Sequence, residues 1–423
     1  MDIVIIAIGD ELLSGRTVDT NSAWLSANLD SMGIRTLERL TVADEIPAII
    51  EALRRVKSRV KVCIITGGLG PTNDDLTVDA LAKFAERKLV ASKESLDIVL
   101  EKYRRRGLIV PVGGVPREAL LPEGATPLDN AVGVAPGILM ELDDFTIIAL
   151  PGVPHEMKDI FERSVSGHLA NFERGARAKV ESIFTTGIPE SRLFGVLEPV
   201  IDSFPDAKIA FYPSFYGVEI RLTGEVADAR FRKFREAVRE KASPWCYSTN
   251  EGSLPAIIGE ILSLRGLNLS VAESCTGGLI ASRLVDVPGA SRWFEGGVVA
   301  YSNDAKIELL GVERSVIEDY GAVSGIVAGQ MARGAAERFH TKFALSTTGI
   351  AGPSGGTPEK PVGLVFYALH SPEGTKVRSN IIAGPREAHR HRTSQAVLTM
   401  LWLELDGKYD NHQWADGSRE FKL

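Results

Sequence analysis

Cysteine is scarce in this chain: Cys63, Cys246 and Cys275 are the only three in 423 residues, and no two form a CxxC pair. A disulfide framework and a cysteine-based zinc site are thereby excluded, and a reducing cytoplasm is the expected compartment. No run reaches the ~18 apolar residues that would cross a bilayer. The apolar stretch at Ile3–Ile8 has neither a basic flank nor a small-residue cleavage site, so it is expected to be a buried strand and not a signal peptide. Excess positive charge is lacking as well: 48 Lys+Arg stand against 55 Asp+Glu, net −7. No overall field draws the chain onto nucleic acid or an anionic membrane, so neither is an expected partner. Neither GxxxxGK[S/T] nor GxGxxG occurs, and ATPase and NAD-dehydrogenase readings lose their main support.

What is present is a soluble α/β composition, 44% apolar and 24% charged with 41 Gly and 21 Pro, at a length that calls for more than one core. The first stretch alternates strands and helices. Ile3–Ile8, Ile34–Val42 and Val62–Thr66 read as strands, and the intervening helices carry Trp24, Leu25 and Leu29, then Pro47 to Arg55. This layout predicts a parallel, doubly wound sheet. Pro111 to Pro154, rich in Pro and Gly, reads as loops and hairpins decorating an edge, and a helix with Met157, Ile160 and Phe161 on one face closes the unit near residue 168. Residues 178–248, with strand-like runs at Lys208–Tyr212 and Val218–Leu222 and a charged helix over 230–240, read as a small α+β connector with few long helices. After a linker at Asn250-Glu251-Gly252-Ser253 a second α/β unit runs to Leu405. The polar segment 406–423 is expected to be a mobile tail.

In a parallel sheet the loops beyond the strands' carboxyl ends form the ligand crevice. Here they carry Asp10 and Glu11, then Asp44 and Glu45, then Gly67-Gly68-Leu69-Gly70-Pro71-Thr72-Asn73-Asp74-Asp75. Glycines let backbone N–H groups turn toward an anion, which makes the third loop a phosphate cradle. Asp74 and Asp75 either cap the following helix or hold a divalent cation that neutralises phosphates.

The second unit offers Glu273-Ser274-Cys275-Thr276-Gly277-Gly278 between a strand and a helix, a turn whose backbone N–H groups suit an oxyanion. Ser274 and Cys275 are both candidate nucleophiles, with a simple helix cap as the alternative. Lys306, at the start of an apolar helix, is the candidate base if it is held dry, and otherwise a surface lysine. His340 and His370 are isolated, and His389 and His391 are read as solvated. Thr348 and Gly349 lie in a further Gly-rich strand-end loop, and Arg386 and Arg390 sit one helical turn apart, either facing one anion or lying on a solvated face.

Gly9–Gly15, Asp19-Thr20-Asn21, Thr66–Asp75 and Leu150–Met157 resemble the N-terminal domain of the CinA family, which is similar to the molybdopterin-binding MoaB/MogA fold. Ala272–Gly278, Val287–Ser291, Val299–Lys306, Gly321–Ser324, Thr348–Pro353 and Pro361–Gly363 resemble its C-terminal domain, the PncC-type nicotinamide mononucleotide deamidase. The resemblance implies a MoaB/MogA-like parallel-sheet domain over 1–168, a small α+β, KH-like connector over 169–249, a second α/β domain over 250–405 and the tail 406–423. It implies a bifunctional hydrolase of pyridine-nucleotide salvage acting on two small nucleotides. ADP-ribose would be cleaved to AMP and ribose 5-phosphate at a site where Glu11, Asn21, Gly67, Gly68, Gly70 and Thr72 meet substrate and Asp44, Asp74 and Asp75 hold a divalent metal. Nicotinamide mononucleotide would be deamidated by Ser274 as nucleophile, Lys306 as base and Tyr301 in the same hydrogen-bond network, with Cys275 a packed neighbour. Thr276, Gly277, Gly278, Thr348, Gly349, Arg386 and Arg390 would contact that substrate, and no cofactor is implied there. The arginine pair usually brackets an apolar residue, whereas here His389 precedes Arg390, leaving open which arginine meets the phosphate. A cytoplasmic homodimer is also implied. The alternatives are a molybdopterin-binding role for the first domain, or an interaction protein in competence or DNA repair with incidental catalysis.

Overall fold

The computed structural model describes residues 1–72, 74–110, 115–170, 178–225, 228–249 and 252–422. Asn73, Pro111–Gly114 and the linker residues Asn250 and Glu251 named above lie outside the described residues. The chain divides into two compact units, Met1–Lys179 and Val180–Leu423.

The first unit is built on strands β1 (Asp2–Ile8), β2 (Arg35–Val42), β3 (Val62–Thr66), β6 (Thr126–Leu128), β7 (Gly137–Leu142) and β8 (Phe145–Leu150), with β4 (Leu89–Ala91) and β5 (Leu120–Pro122) paired apart. The sheet order is β2-β1-β3-β8-β7-β6. β1 and β3 read as unbroken apolar runs because both faces are covered. Ile3, Ile5 and Ile64 meet Leu25 and Leu29 on one side, while Val4, Ile6 and Ile65 meet Ile49, Leu53 and Val56 on the other.

The sheet is mixed and not wholly parallel: β1, β2, β3 and β8 run parallel, and β7 pairs antiparallel with both β8 and β6. The stretch expected to decorate an edge therefore supplies β8, an entirely buried strand beside β3. Its flanking Pro and Gly residues belong to the turns around it and masked its apolar core in the sequence.

The second unit holds two sheets. Strands β9 (Ala178–Thr185), β10 (Lys208–Ser214), β11 (Gly217–Glu225) and β12 (Cys246–Ser248) lie in the order β10-β11-β9-β12, packed on the helices Glu190–Ser203 and Ala229–Ala242. The first of these helices was not expected, since Gly195 and Pro199 interrupt its pattern. It persists because Leu193, Leu197 and Val200 bury one face.

The other sheet has the order β14-β13-β15-β16-β17-β18, from β13 (Leu269–Glu273), β14 (Phe294–Val299), β15 (Phe343–Gly349), β16 (Leu364–Ser371), β17 (Gly374–Ile381) and β18 (Arg419–Phe421). The helix Gly325–Phe339 covers one face and the helix Arg386–Leu405 the other.

The segment 406–423 is structural over its described residues, contrary to expectation. β18 adds to β17, Tyr409 is buried, Trp414 lies under the Arg378 guanidinium at 3.7 Å, and Ala415 enters the core of the α+β module. Aromatic anchors spaced along a polar segment carry no periodic signal, which is why the sequence pattern hid them.

Candidate active sites

Loops at the carboxyl ends of β1, β2, β3 and β8 surround a cavity of about 670 Å³ in the first unit. Glu11, Asp44, Gly67, Gly68, Gly70, Asp74 and Asp75 line it, whereas Asn21 and Thr72 are not among its lining residues. Gly67 is required by the backbone: its φ is +110°, and a Cβ there would lie 2.3 Å from the carbonyl of Ile8. Its N–H, however, donates to Leu150 O at 3.0 Å and is committed to the scaffold. Any anion must therefore be met farther along the loop.

Asn21 ties two of these loops together, donating through Nδ2 to Thr66 Oγ1 at 3.1 Å and Gly152 O at 2.7 Å. Its Oδ1 is left buried and without a hydrogen-bond partner. Asp44 accepts from the Asp10 N–H at 3.0 Å. Partial burial, with Asp10, Glu11 and Asp74 nearby, raises its carboxyl above the usual carboxylate range. Asp74 moves the other way, held low by hydrogen bonding to Thr72.

The predicted metal set is not assembled. Asp75 accepts from both the N–H and the hydroxyl of Thr72, closing its own loop. Among the described residues no three Asp, Glu, His or Cys side chains converge as a metal site. The residues present thus do not fit a preformed divalent centre. Two further acids on the cavity were missed: Glu118, which accepts from Tyr103 OH at 3.2 Å, and Glu156, which accepts from Asn130 at 2.7 Å. Glu156 lies within the Leu150–Met157 motif, the one signal that could have singled it out.

In the second unit β13 ends at Glu273 and the turn Ser274–Gly278 leads into the helix Leu279–Val285. Glu273 is fully buried and satisfies that helix's first amides, accepting from Ile280 and Ala281 N–H at 3.1 and 2.8 Å. It was not foreseen as a site residue. Ser274 N–H donates to Thr347 O at 2.9 Å, which locks the turn to β15.

Lys306, on the helix Asn303–Leu310, reaches into the same place. Lys306 is 2% exposed and Ser274 8%. Its Nζ donates to Ser274 Oγ at 3.1 Å, Ala300 O at 2.9 Å and Tyr301 O at 3.3 Å. Burial lowers its pKa from the ordinary lysine value. The two carbonyls can only accept, so when the amine gives up a proton its lone pair takes the one direction left, toward the serine. This is the arrangement of a base beside a nucleophile.

Cys275 is the poorer nucleophile. It is buried, and desolvation pushes its thiol up to about 12.

Other expected residues take up structural posts. Thr276 and Thr347 share a hydroxyl contact at 2.7 Å, and Thr348 donates to Ala322 O at 2.8 Å, all three being buried. Gly277 and Gly278 adopt positive φ in the turn, and Gly349 ends β15.

Tyr301 meets Lys306 through its carbonyl alone. Its side chain is 63% exposed and accepts from Arg386 at 3.0 Å, outside the serine–lysine network.

Arg390 donates twice to Thr276 O, at 3.1 and 2.9 Å. His389, expected to be solvated, is buried against Ala351 O at 2.8 Å, and His391 is held by Tyr216 OH at 2.6 Å. Their basic neighbours disguised two helix positions that point inward.

With this geometry in place, three family models match in series: "Probable molybdopterin binding domain" over residues 4–171, "Damage-inducible protein CinA KH domain" over 181–248 and "CinA C-terminal domain" over 251–405. A CinA-like protein of Dictyoglomus thermophilum is 39% identical over 403 residues, covering 94% of this chain and 97% of that protein. The chain belongs to the CinA family. A CinA-like protein of Kosmotoga olearia is 38% identical over 400 residues, covering 93% of this chain and 96% of its own. Among solved structures, a competence/damage inducible protein from Agrobacterium tumefaciens is 41% identical, with a TM-score of 0.34, over 38% of this chain and 99% of that one. The CinA assignment thus spans both units, and among the described residues no helix is long and apolar enough to cross a membrane.

Proposed function

We propose that the C-terminal α/β domain is an amidohydrolase that converts nicotinamide mononucleotide to nicotinate mononucleotide and ammonia. The observation that carries this reading is the 3.1 Å contact between Lys306 Nζ and Ser274 Oγ in a buried setting. Ser274 Oγ bonds to the carboxamide carbon while its proton passes to neutral Lys306. The C–N bond of the tetrahedral intermediate then breaks as Lys306 returns that proton to the departing nitrogen, releasing ammonia. Water adds to the acyl-serine with Lys306 again as base, and nicotinate mononucleotide leaves as Ser274 regains its proton. Arg386, exposed beside Tyr301, suits the substrate's phosphate. Incubation with nicotinamide mononucleotide should release ammonia, and a Ser274→Ala or Lys306→Ala variant with full activity would overturn the mechanism.

For the first unit we propose hydrolysis of ADP-ribose to AMP and ribose 5-phosphate. The support is a cavity that joins a glycine loop to Glu11, Asp44 and Asp74. Carboxylates beside a diphosphate repel it unless a cation intervenes, which favours a divalent requirement. Because the side chains present form no ready-made metal set, no step is assigned to the cation. The family description of residues 4–171 favours a second reading, a molybdopterin ligand in the same cavity. Calorimetric titration with ADP-ribose and with molybdopterin separates the two.

A further inference from the structure

Tyr216, at the turn between β10 and β11, touches both helices that hold the Ser274–Gly278 turn. Its ring lies 4.0 Å from the Arg283 guanidinium, and its hydroxyl shares a 2.6 Å hydrogen bond with His391 Nδ1. Arg283 sits on the helix that leaves the nucleophile turn. His391 follows Arg390, whose guanidinium grips the carbonyl of Thr276 inside the turn. Arg283 completes the circuit by donating to Ser394 Oγ and Gln395 Oε1, each at 2.7 Å, on the His391 helix. Phe215 stacks on His391 at 5.4 Å. Gly217 lets the hairpin come this close: its φ is +131°, and a Cβ there would lie 1.9 Å from Thr185 O.

We propose that Tyr216 is a positioning residue for the Ser274 site, through which the α+β module fixes the two helices that present the nucleophile. The inference rests on the amidase reading given above. Its physical basis is the partnership of Arg283, a largely desolvated cation whose hydrogen bonds here go to the neutral groups of Ser394 and Gln395. The tyrosine face supplies the negative end that keeps the guanidinium in place. When the ring is removed, Arg283 swings toward water, its two bonds to the long helix loosen, and Ser274 loses its bearing on the substrate carbonyl. Displacement of a nucleophile lowers the rate of the chemical step more than it weakens binding.

The test uses the full chain with Tyr216→Ala and Tyr216→Phe, read by ammonia release from nicotinamide mononucleotide and by the rate at which phenylmethanesulfonyl fluoride labels Ser274, followed by intact mass. Tyr216→Ala is expected to lower kcat about tenfold with KM within about twofold, and to slow labelling by a similar factor. Tyr216→Phe keeps the ring under Arg283 and loses only the bond to His391, so a drop of about threefold is expected. If Tyr216→Ala does not fold, the Tyr216→Phe result decides by itself. Variants that melt earlier yet keep kcat and labelling rate would overturn the positioning role while leaving the amidase reading intact. A wild-type protein that neither releases ammonia nor labels at Ser274 would overturn both.

Discussion

Arg390 donates twice to the carbonyl of Thr276 inside the nucleophile turn, whereas Arg386, one turn earlier, divides its hydrogen bonds between Gly352 O and the exposed phenol of Tyr301. Two arginines that look equivalent on a helical repeat thus have different duties. Arg386→Ala is expected to raise KM for nicotinamide mononucleotide about tenfold with little change in kcat, and Arg390→Ala to lower kcat. Steady-state kinetics on the two variants checks this. Equal KM effects would overturn this division of roles.

Lys306 must be neutral to accept a proton, and burial moves its pKa below the ordinary lysine value of 10.5. Activity should therefore rise with pH through a midpoint below that value and fall as the amine becomes charged. Lys306→Met should lose about a hundredfold or more in kcat at every pH and abolish the ascending limb. A pH–rate profile of both proteins is the measurement.

Cys275 stands next to the nucleophile, and its thiol, pushed up to about 12, stays protonated at neutral pH. Iodoacetamide should leave activity unchanged over an hour, and Cys275→Ala should keep kcat within about threefold. Rapid inactivation with alkyl label at this residue would return the nucleophile's role to the thiol.

Asp44 makes the opposite trade. Its folded-state pKa lies above the unfolded value of 3.8, so the native state binds the proton more tightly. Its charged form consequently costs stability at neutral pH, and that cost disappears as pH falls through the raised value. Asp44→Asn is expected to raise the melting temperature at pH 7 and to reduce ADP-ribose hydrolysis. Thermal melts at pH 4 and pH 7, together with an AMP assay with and without divalent cations, test both halves. In the absence of nucleotide, calorimetry with magnesium alone should show no tight site.

Much of the framework was legible because its signals are local. Residues 3–8 and 62–65 are apolar without a break since helices cover both faces, and Ser274 with Lys306 stood out by residue type in strand–turn–helix settings. What stayed hidden depends on distant partners. β8 was obscured by the Pro and Gly of its own turns. His389 and His391 lie among arginines, and only the positions of Ala351 and Tyr216 turn them inward. The metal set failed for a similar reason: three acids in suitable loops need not share a centre, and Asp75 had a nearer partner in Thr72.

The residues beyond Leu405 carry a consequence for the order of assembly. Ala415 accepts from Arg192 across 223 positions, and Gln413 from Trp245 across 168. The α+β module leaves the ribosome long before either partner exists. Those two contacts therefore form only after the second α/β sheet has been synthesised. A chain shortened to Leu405 would retain every residue proposed for the Ser274 chemistry, yet its middle module would lose the bonds that Arg192 and Trp245 make to Ala415 and Gln413.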